Sequence, residues 1–318
     1  MFNKQTLPTI DTMPSVFRIV STSCVPAPNR RGVSYRVELY HDKAQLAVAF
    51  TRSQPDIRLR AGLLVSVRWK LPVTMYKGAI HISRLVLLEH PIKGVNPFEM
   101  VPPRWVKDRN LVKKARNLLD ALPDNLQQLV CAIFWDGVRF GLFCDRPASI
   151  RDPHSNRNGN LRHTVGVAVM VQLLASQYPQ ANLGISLAAA LLHDAGKAAE
   201  YGAWSNGGWR MTDRGKLVGH RHTVLEWIAV AMAKNRIILS ERHHLSLLHA
   251  LTSAPNAEWL GIRSPVTPEA TLLSMADRLS NENALTSQLA DRNGGWGDRH
   301  PNRKGKPFTL PMDEINPT

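Results

Sequence analysis

The chain has 318 residues, 44% of them hydrophobic, and 40 Lys and Arg against 25 Asp and Glu, for a net charge of +15 and a pI near 10.2. That length exceeds what one ordinary core serves and predicts two domains; no run approaches the ~18 unbroken apolar residues of a membrane helix, and the opening MFNKQTLPTIDTMPS lacks the apolar stretch of a secretory leader. Cys24, Cys131 and Cys144 form no CxxC pair and no disulfide framework, so a reducing cytoplasm is the expected location and no membrane partner is expected.

The charge is uneven. Residues 1–95 carry 14 Lys and Arg against 5 Asp and Glu, residues 96–152 carry 9 against 7, and residues 153–318 carry 17 against 13. A basic module joined to a near-balanced one points to a polyanion partner, most simply nucleic acid.

Residues 15–89 read as short strands. SYRVELYH places Tyr35, Val37 and Leu39 on one face, and AQLAVAF, GLLVSVRWKL and AIHISRLVLLE follow after the turn signals NRRG, SQPD and YKG. The order suggests an N-terminal OB-fold-like β-barrel over residues 1–95, the small barrel that often grips single-stranded nucleic acid. A strand-binding face needs basic and aromatic side chains, and the candidates are Arg36, Tyr40, Phe50, Arg68, Trp69, Tyr76 and Lys77. The proline-rich stretch 96–110 reads as a linker. Residues 111–290 show apolar spacing of three and four and predict an all-α bundle of seven or more helices. Residues 291–318, rich in Gly, Pro and charge, read as a mobile basic tail.

Histidines and aspartates stand where the helical half would place inward apolar side chains. These are His163, the pair His193-Asp194 closing the LAAALL run, His220, His249 inside LSLLHAL, and Asp277 inside TLLSMADRL. A buried carboxylate must be paired or bound to a metal. Adjacent residues at a helix end can both reach an ion beyond the last turn, and His163 and Asp277 can complete its shell if their helices pack around it. Mixed imidazole and carboxylate ligands suit Mn, Fe, Co, Ni or Zn, and carboxylates lean towards Mn and Mg; Mn is the first expectation, as one ion or two. Gly196 permits close approach, and Lys197 adds a positive charge. Such a constellation suits the hydrolysis of phosphate esters.

The H…HD…D pattern with HDxGK resembles the HD-domain metal-dependent phosphohydrolases, and more closely the YhaM-type 3′–5′ exoribonucleases, which join an OB-fold to an HD domain. HSNRNGNLRHT (154–164) is similar to that family's NHHxxxGGLLEHT, LLHDAGKAAEY (191–201) to LHDLGKVxEL, and MTDRGKLVGH (211–220) to YTxEGKLxGHI. LLHALTSAPNAEWLG (247–261) is similar to LLxHxILSHHGxxEWGSP, and EATLLSMADRLSNE (269–282) to EAxILHxIDNxDAK. The resemblance implies that His163, His193, Asp194 and Asp277 bind a first metal, that His220 and His249 lie near or in a second metal site, and that Asp194 and Lys197 are catalytic. It makes Lys216 and Arg278 candidates for substrate phosphate.

One departure matters. Ser253-Ala254-Pro255-Asn256 stands where the family has SHHG, which removes two histidines and puts the second metal in doubt. His154, His222, His243 and His244 are the possible substitutes. The expected activity is a metal-dependent phosphodiesterase, a 3′–5′ exonuclease on single-stranded RNA or DNA; a homo-oligomer is compatible with this. The alternatives are a relaxase-like nuclease that processes mobile-element DNA, and a non-catalytic nucleic-acid-binding protein with a degenerate HD domain.

Overall fold

A computed structural model describes residues 12–27, 32–150, 154–205, 207–301 and 303–311. The expectations for the first residues of the barrel, for most of the NRRG turn and for residues 312–318 lie outside these.

Six strands come first: β1 (Phe17–Pro26), β2 (Val33–His41), β3 (Ala44–Arg52), β4 (Leu64–Trp69), β5 (Met75–Tyr76) and β6 (Ala79–Leu87). The helices are α1 (Arg109–Asp120), α2 (Asp124–Trp135), α3 (Gly137–Asp145), α4 (Gly159–Ala175), α5 (Leu183–Leu192), α6 (Lys197–Glu200), α7 (Asp213–Leu217), α8 (Gly219–Asn235), α9 (Glu241–Thr252) and α10 (Pro268–Leu289). A small pair, β7 (Tyr201–Ala203) and β8 (Trp209–Met211), separates α6 from α7, and β9 (Gly295–Trp296) pairs with β10 (Phe308–Thr309) near the end. The chain divides into two compact units, Met1–Asp145 with Thr223–Leu239, and Arg146–His222 with Ser240–Thr318.

The first unit is built on the barrel. Strand order β3-β2-β1-β4-β6-β5, with β3 also pairing parallel to β6, closes a five-stranded OB-like barrel. Alternation along β2 and β3 turns Tyr35, Val37, Leu39, Leu46, Val48 and Phe50 inward, and leaves Arg36 and Glu38 exposed. Stretch 96–110 is more than a connector. Asn96 caps a 3-10 turn by accepting from the Phe98 N–H, and Phe98 and Met100 are fully buried. Phe98 packs against Phe134 of α2 and Phe140 of α3. Arg18 is buried with no carboxylate partner among the described residues. Its Nε donates to Met100 O at 2.8 Å, its Nη1 to Gly62 O at 2.5 Å, and its guanidinium lies over Trp105 and Phe140. Burial pulls its pKa down to about 10.

The second unit is a helical core. LGISLAAALL is apolar all round, so α5 is buried on nearly every side, and α4, α9 and α10 pack around it. This places the end of α5 and everything just after it at the centre of the unit. Residues 291–318 read in the sequence as a mobile basic tail; among those described, two hydrogen bonds reach α10. Asp298 N–H donates to Leu289 O at 2.8 Å, and Arg303 Nη1 to Thr286 Oγ1 at 2.6 Å.

Candidate metal centre and its cavity

His193 caps the C-terminus of α5, and Asp194 follows at once. His163 comes from the second turn of α4 and Asp277 from the middle of α10. The ring atoms converge: His163 Nε2 lies 3.3 Å from His193 Nε2, 3.0 Å from Asp277 Oδ1 and 3.4 Å from Asp194 Oδ2. His163, His193 and Asp277 each offer a ligand atom within 4.8 Å of the others.

The donor chemistry fits a divalent cation. His193 Nδ1 sits 2.7 Å from Ala190 O, an acceptor, so that nitrogen carries the hydrogen and Nε2 is a bare lone pair. That lone pair faces Asp194 Oδ2 at 3.5 Å, another acceptor. His163 Nδ1 meets Ser280 Oγ at 3.3 Å, and Asn281 Nδ2 donates to Asp277 Oδ1 at 3.1 Å. His193 is thus held from behind with its Nε2 facing the Asp194 carboxylate, an arrangement a cation satisfies. Burial alone would push Asp194 up. Lys197, His193, His163 and His220 outweigh it and hold the carboxyl far below the usual carboxylate range. Asp277 behaves likewise: burial opposes ionisation, and the contacts with His163 and His193 win. Burial lowers the pKa of His193, which favours the neutral ligand form.

Lys197 Nζ is 2.7 Å from Asp194 Oδ2. His220, at the start of α8, puts Nε2 3.6 Å from Asp194 Oδ1 and Nδ1 2.7 Å from Glu200 Oε2. Gly196 makes this possible, because a Cβ there would stand 2.1 Å from His220 O.

His163, His193, Asp194, Lys197, His220 and Asp277 line a cavity of about 430 Å³. Tyr201, Arg221 and Ser253 add polar groups to its lining, and Ala250, Leu251, Ala254, Pro255 and Leu273 add apolar ones.

The structure therefore brings together His163, His193, Asp194, Lys197, His220 and Asp277. His249 stands apart: its Nε2 accepts from the Val266 N–H at 3.1 Å, and it does not line the cavity. Lys216 and Arg278 are exposed and also outside the lining. Of the possible substitutes, His222 and His243 are exposed and bonded elsewhere, and His244 does not line the cavity. His154 packs its ring 5.3 Å from that of His163, with its pKa lowered to about 4 by burial and neighbouring positive charge. Glu200, Ser280 and Asn281 do not stand out in the sequence, although a glutamate occupies the Glu200 position in LHDLGKVxEL.

On the barrel, Arg36, Tyr76 and Lys77 form one exposed group. Arg36 Nη1 donates to Lys77 O at 2.9 Å, and Lys77 Nζ lies over the Tyr76 ring. Arg68 is exposed and pairs across strands with Arg84. Tyr40 and Phe50 are buried, the Tyr40 hydroxyl accepting from Arg109 Nη2 at 3.1 Å, and Trp69 packs on the barrel core. These three aromatics do not share the exposed face.

Residues 160–282 match the HD domain family, and they contain His163, His193, Asp194, Lys197, His220 and Asp277. Among curated proteins, the 3′–5′ exoribonuclease YhaM of a Geobacillus species is 24% identical over 207 residues, 64% of this chain and 62% of that protein. Proteins of the same name from Listeria welshimeri and Listeria innocua are 24% and 25% identical over 208 residues, 64% of this chain and 64% of each relative. The match thus spans less than two thirds of these relatives' length. No solved structure matches the chain. No helix among the described residues is long and apolar enough to cross a membrane.

Proposed function

We propose that the protein is a metal-dependent phosphodiesterase that shortens single-stranded nucleic acid from its 3′ end. The convergence of His163, His193 and Asp277 beside the Asp194–Lys197 pair carries this reading. The exoribonuclease name of the relatives and the basic barrel give its substrate class. A divalent cation held by His163, His193, Asp194 and Asp277, with Mn²⁺ the first choice, would supply Lewis acidity towards a phosphate oxygen. The remaining steps belong to side chains. Lys197 keeps a positive charge beside the phosphate, where negative charge grows in the transition state. Glu200 takes the Nδ1 hydrogen of His220, which turns His220 Nε2 towards Asp194 and the cavity. The apolar lining from Ala250 to Leu273 would exclude water from the reacting group.

The exposed Arg36, Tyr76 and Lys77 group and Arg68 with Arg84 would track the strand by phosphate contact and stacking. Free thiols at Cys24, Cys131 and Cys144 support a reducing, cytoplasmic setting. The loss of two histidines at Ala254-Pro255 favours a second reading, a protein that binds the strand without cutting it. One assay separates the two: 5′-labelled single-stranded RNA and DNA are incubated with Mn²⁺ and either the wild type or Asp194→Ala, with circular dichroism as the control for folding. Stepwise shortening by the wild type alone supports the nuclease; retention of the strand without shortening supports the binding protein.

A further inference from the structure

Arg221 is the one cation lining the cavity that has no carboxylate partner among the described residues, since Lys197 is committed to Asp194. It follows directly after His220, so its backbone is fixed at the edge of the centre. Its Nη1 donates to two carbonyls at the C-terminus of α9, Thr252 O at 3.5 Å and Ser253 O at 3.3 Å. A helix C-terminus carries partial negative charge and holds a cation there. The same turn continues into Ala254 and Pro255, which line the cavity but offer no ligand atom to an ion. Arg221 thus brings a positive charge beside Ala254 and Pro255, whose side chains offer no ligand to an ion.

We infer that Arg221 binds the substrate phosphate in the cavity beside the metal centre, and that the protein works with one ion per chain. The inference rests on the phosphodiesterase reading for its substrate. Its chemistry is that of a guanidinium fork on phosphate oxygens, which a lysine matches in charge but not in geometry. Lys197 shares its charge with Asp194, so Arg221 adds the second positive charge that helps to neutralise a bound phosphodiester or its nucleoside monophosphate product.

The test uses the full chain loaded with Mn²⁺. Inorganic phosphate and AMP are titrated by calorimetry into wild type, Arg221→Gln and Arg221→Lys, and bound metal is counted by emission spectroscopy. One ion per chain is expected in all three. AMP affinity should fall about tenfold or more in Arg221→Gln, with partial recovery in Arg221→Lys. Circular dichroism should not change, because the side chain is exposed. Two ions per wild-type chain, no binding of either probe to the wild type, or equal AMP affinity in wild type and Arg221→Gln would each overturn the inference. The two proposals can fail separately. A wild type that shortens RNA while Arg221→Gln binds AMP normally keeps the nuclease and removes the role of Arg221. A wild type that binds AMP through Arg221 but shortens no strand does the reverse.

Discussion

His193 Nε2 and His163 Nε2 face each other at 3.3 Å, while the Nδ1 of each ring already meets a protein oxygen. With its Nδ1 hydrogen given to Ala190 O, His193 Nε2 faces the Asp194 carboxylate as one acceptor against another, which a cation between them would relieve. Metal should therefore stabilise the second unit. Mn²⁺ at a hundredfold excess over its Kd adds about 2.7 kcal/mol, a Tm rise of roughly 5–10 °C for a unit of this size. His163→Ala and Asp277→Ala should abolish the rise. Identical melting curves with Mn²⁺ and with chelator would remove the centre.

Lys197 is the nearest cation to a carboxylate whose side chain is 4% exposed. Lys197→Met leaves that charge buried without its closest partner, and in chelator this should cost roughly 3–5 kcal/mol. The sign with pH follows from the depressed pKa of Asp194. Such a group stabilises the fold above its unfolded pKa, and the contribution is lost as pH falls through the folded value. In the wild type that loss lies below the ordinary carboxylate range; in Lys197→Met it moves to higher pH. Urea midpoints measured against pH report it, and superimposable profiles would contradict the pairing.

Asp56 performs the corresponding task in the barrel. Its carboxylate accepts from Arg52 Nη1 at 2.6 Å, from Arg58 Nε at 3.0 Å and from the Arg58 N–H at 3.1 Å. These contacts, that of Arg58 foremost, hold its pKa well below the normal value. The stabilisation is present above about pH 4 and disappears as pH falls further. Because Arg58 is 63% exposed, solvent screening limits Asp56→Asn to about 1 kcal/mol. The acid limb of the barrel's stability profile should flatten in this variant, and an unchanged slope would show that the carboxylate is not ionised there.

Arg68 and Arg84 stand directly opposite each other on β4 and β6, and like charges in that position destabilise a sheet. Neither has a carboxylate partner among the described residues, as expected of a surface that meets a polyanion. Arg68→Ser with Arg84→Ser should leave Tm unchanged or slightly higher. It should also weaken single-strand binding and reduce the salt slope by about 0.7 for each phosphate that is no longer neutralised. Tyr40→Phe is the control: its hydroxyl is buried on Arg109, so stability falls by about 1 kcal/mol while binding holds. Fluorescence anisotropy at several salt concentrations separates the two variants.

The contrast between Tyr40 and Arg36 shows what strand periodicity can and cannot convey. Alternation correctly sends Tyr35, Val37 and Leu39 inward and Arg36 outward. It puts Tyr40 on the outer face but cannot reveal that Arg109 meets that end of the face. Proline content marks 96–110 as a break, yet a 3-10 turn needs few hydrogen bonds, and Phe98 and Met100 have an aromatic cluster to enter. The candidate ligands are legible because polar residues on apolar helix faces stand out: His163, Asp277 and the His193-Asp194 pair all lie beside or within hydrophobic runs. Glu200 and Arg221 are not, because each sits among polar or small neighbours and reads as helix surface. His249 also interrupts such a run, but its ring turns to the Val266 N–H. Spacing gives the face of a helix, and the rotamer and the neighbouring loop decide what the side chain meets.

Gly196 ties the two halves of the centre together and gives a sharper test than removing a ligand. An added Cβ would meet His220 O at 2.1 Å, a backbone atom that cannot rotate away. Gly196→Ala should therefore push the start of α8 outward, at a cost of roughly 1–3 kcal/mol, and break the contacts from His220 to Asp194 and Glu200. His163, His193 and Asp277 come from α4, the end of α5 and α10, so the metal should still bind. The expected result is a chain that retains its ion, melts lower and turns over substrate poorly. Loss of metal together with activity would mean that His220 belongs to the ion's ligand set. Full activity would mean that the cavity works without His220 in this position.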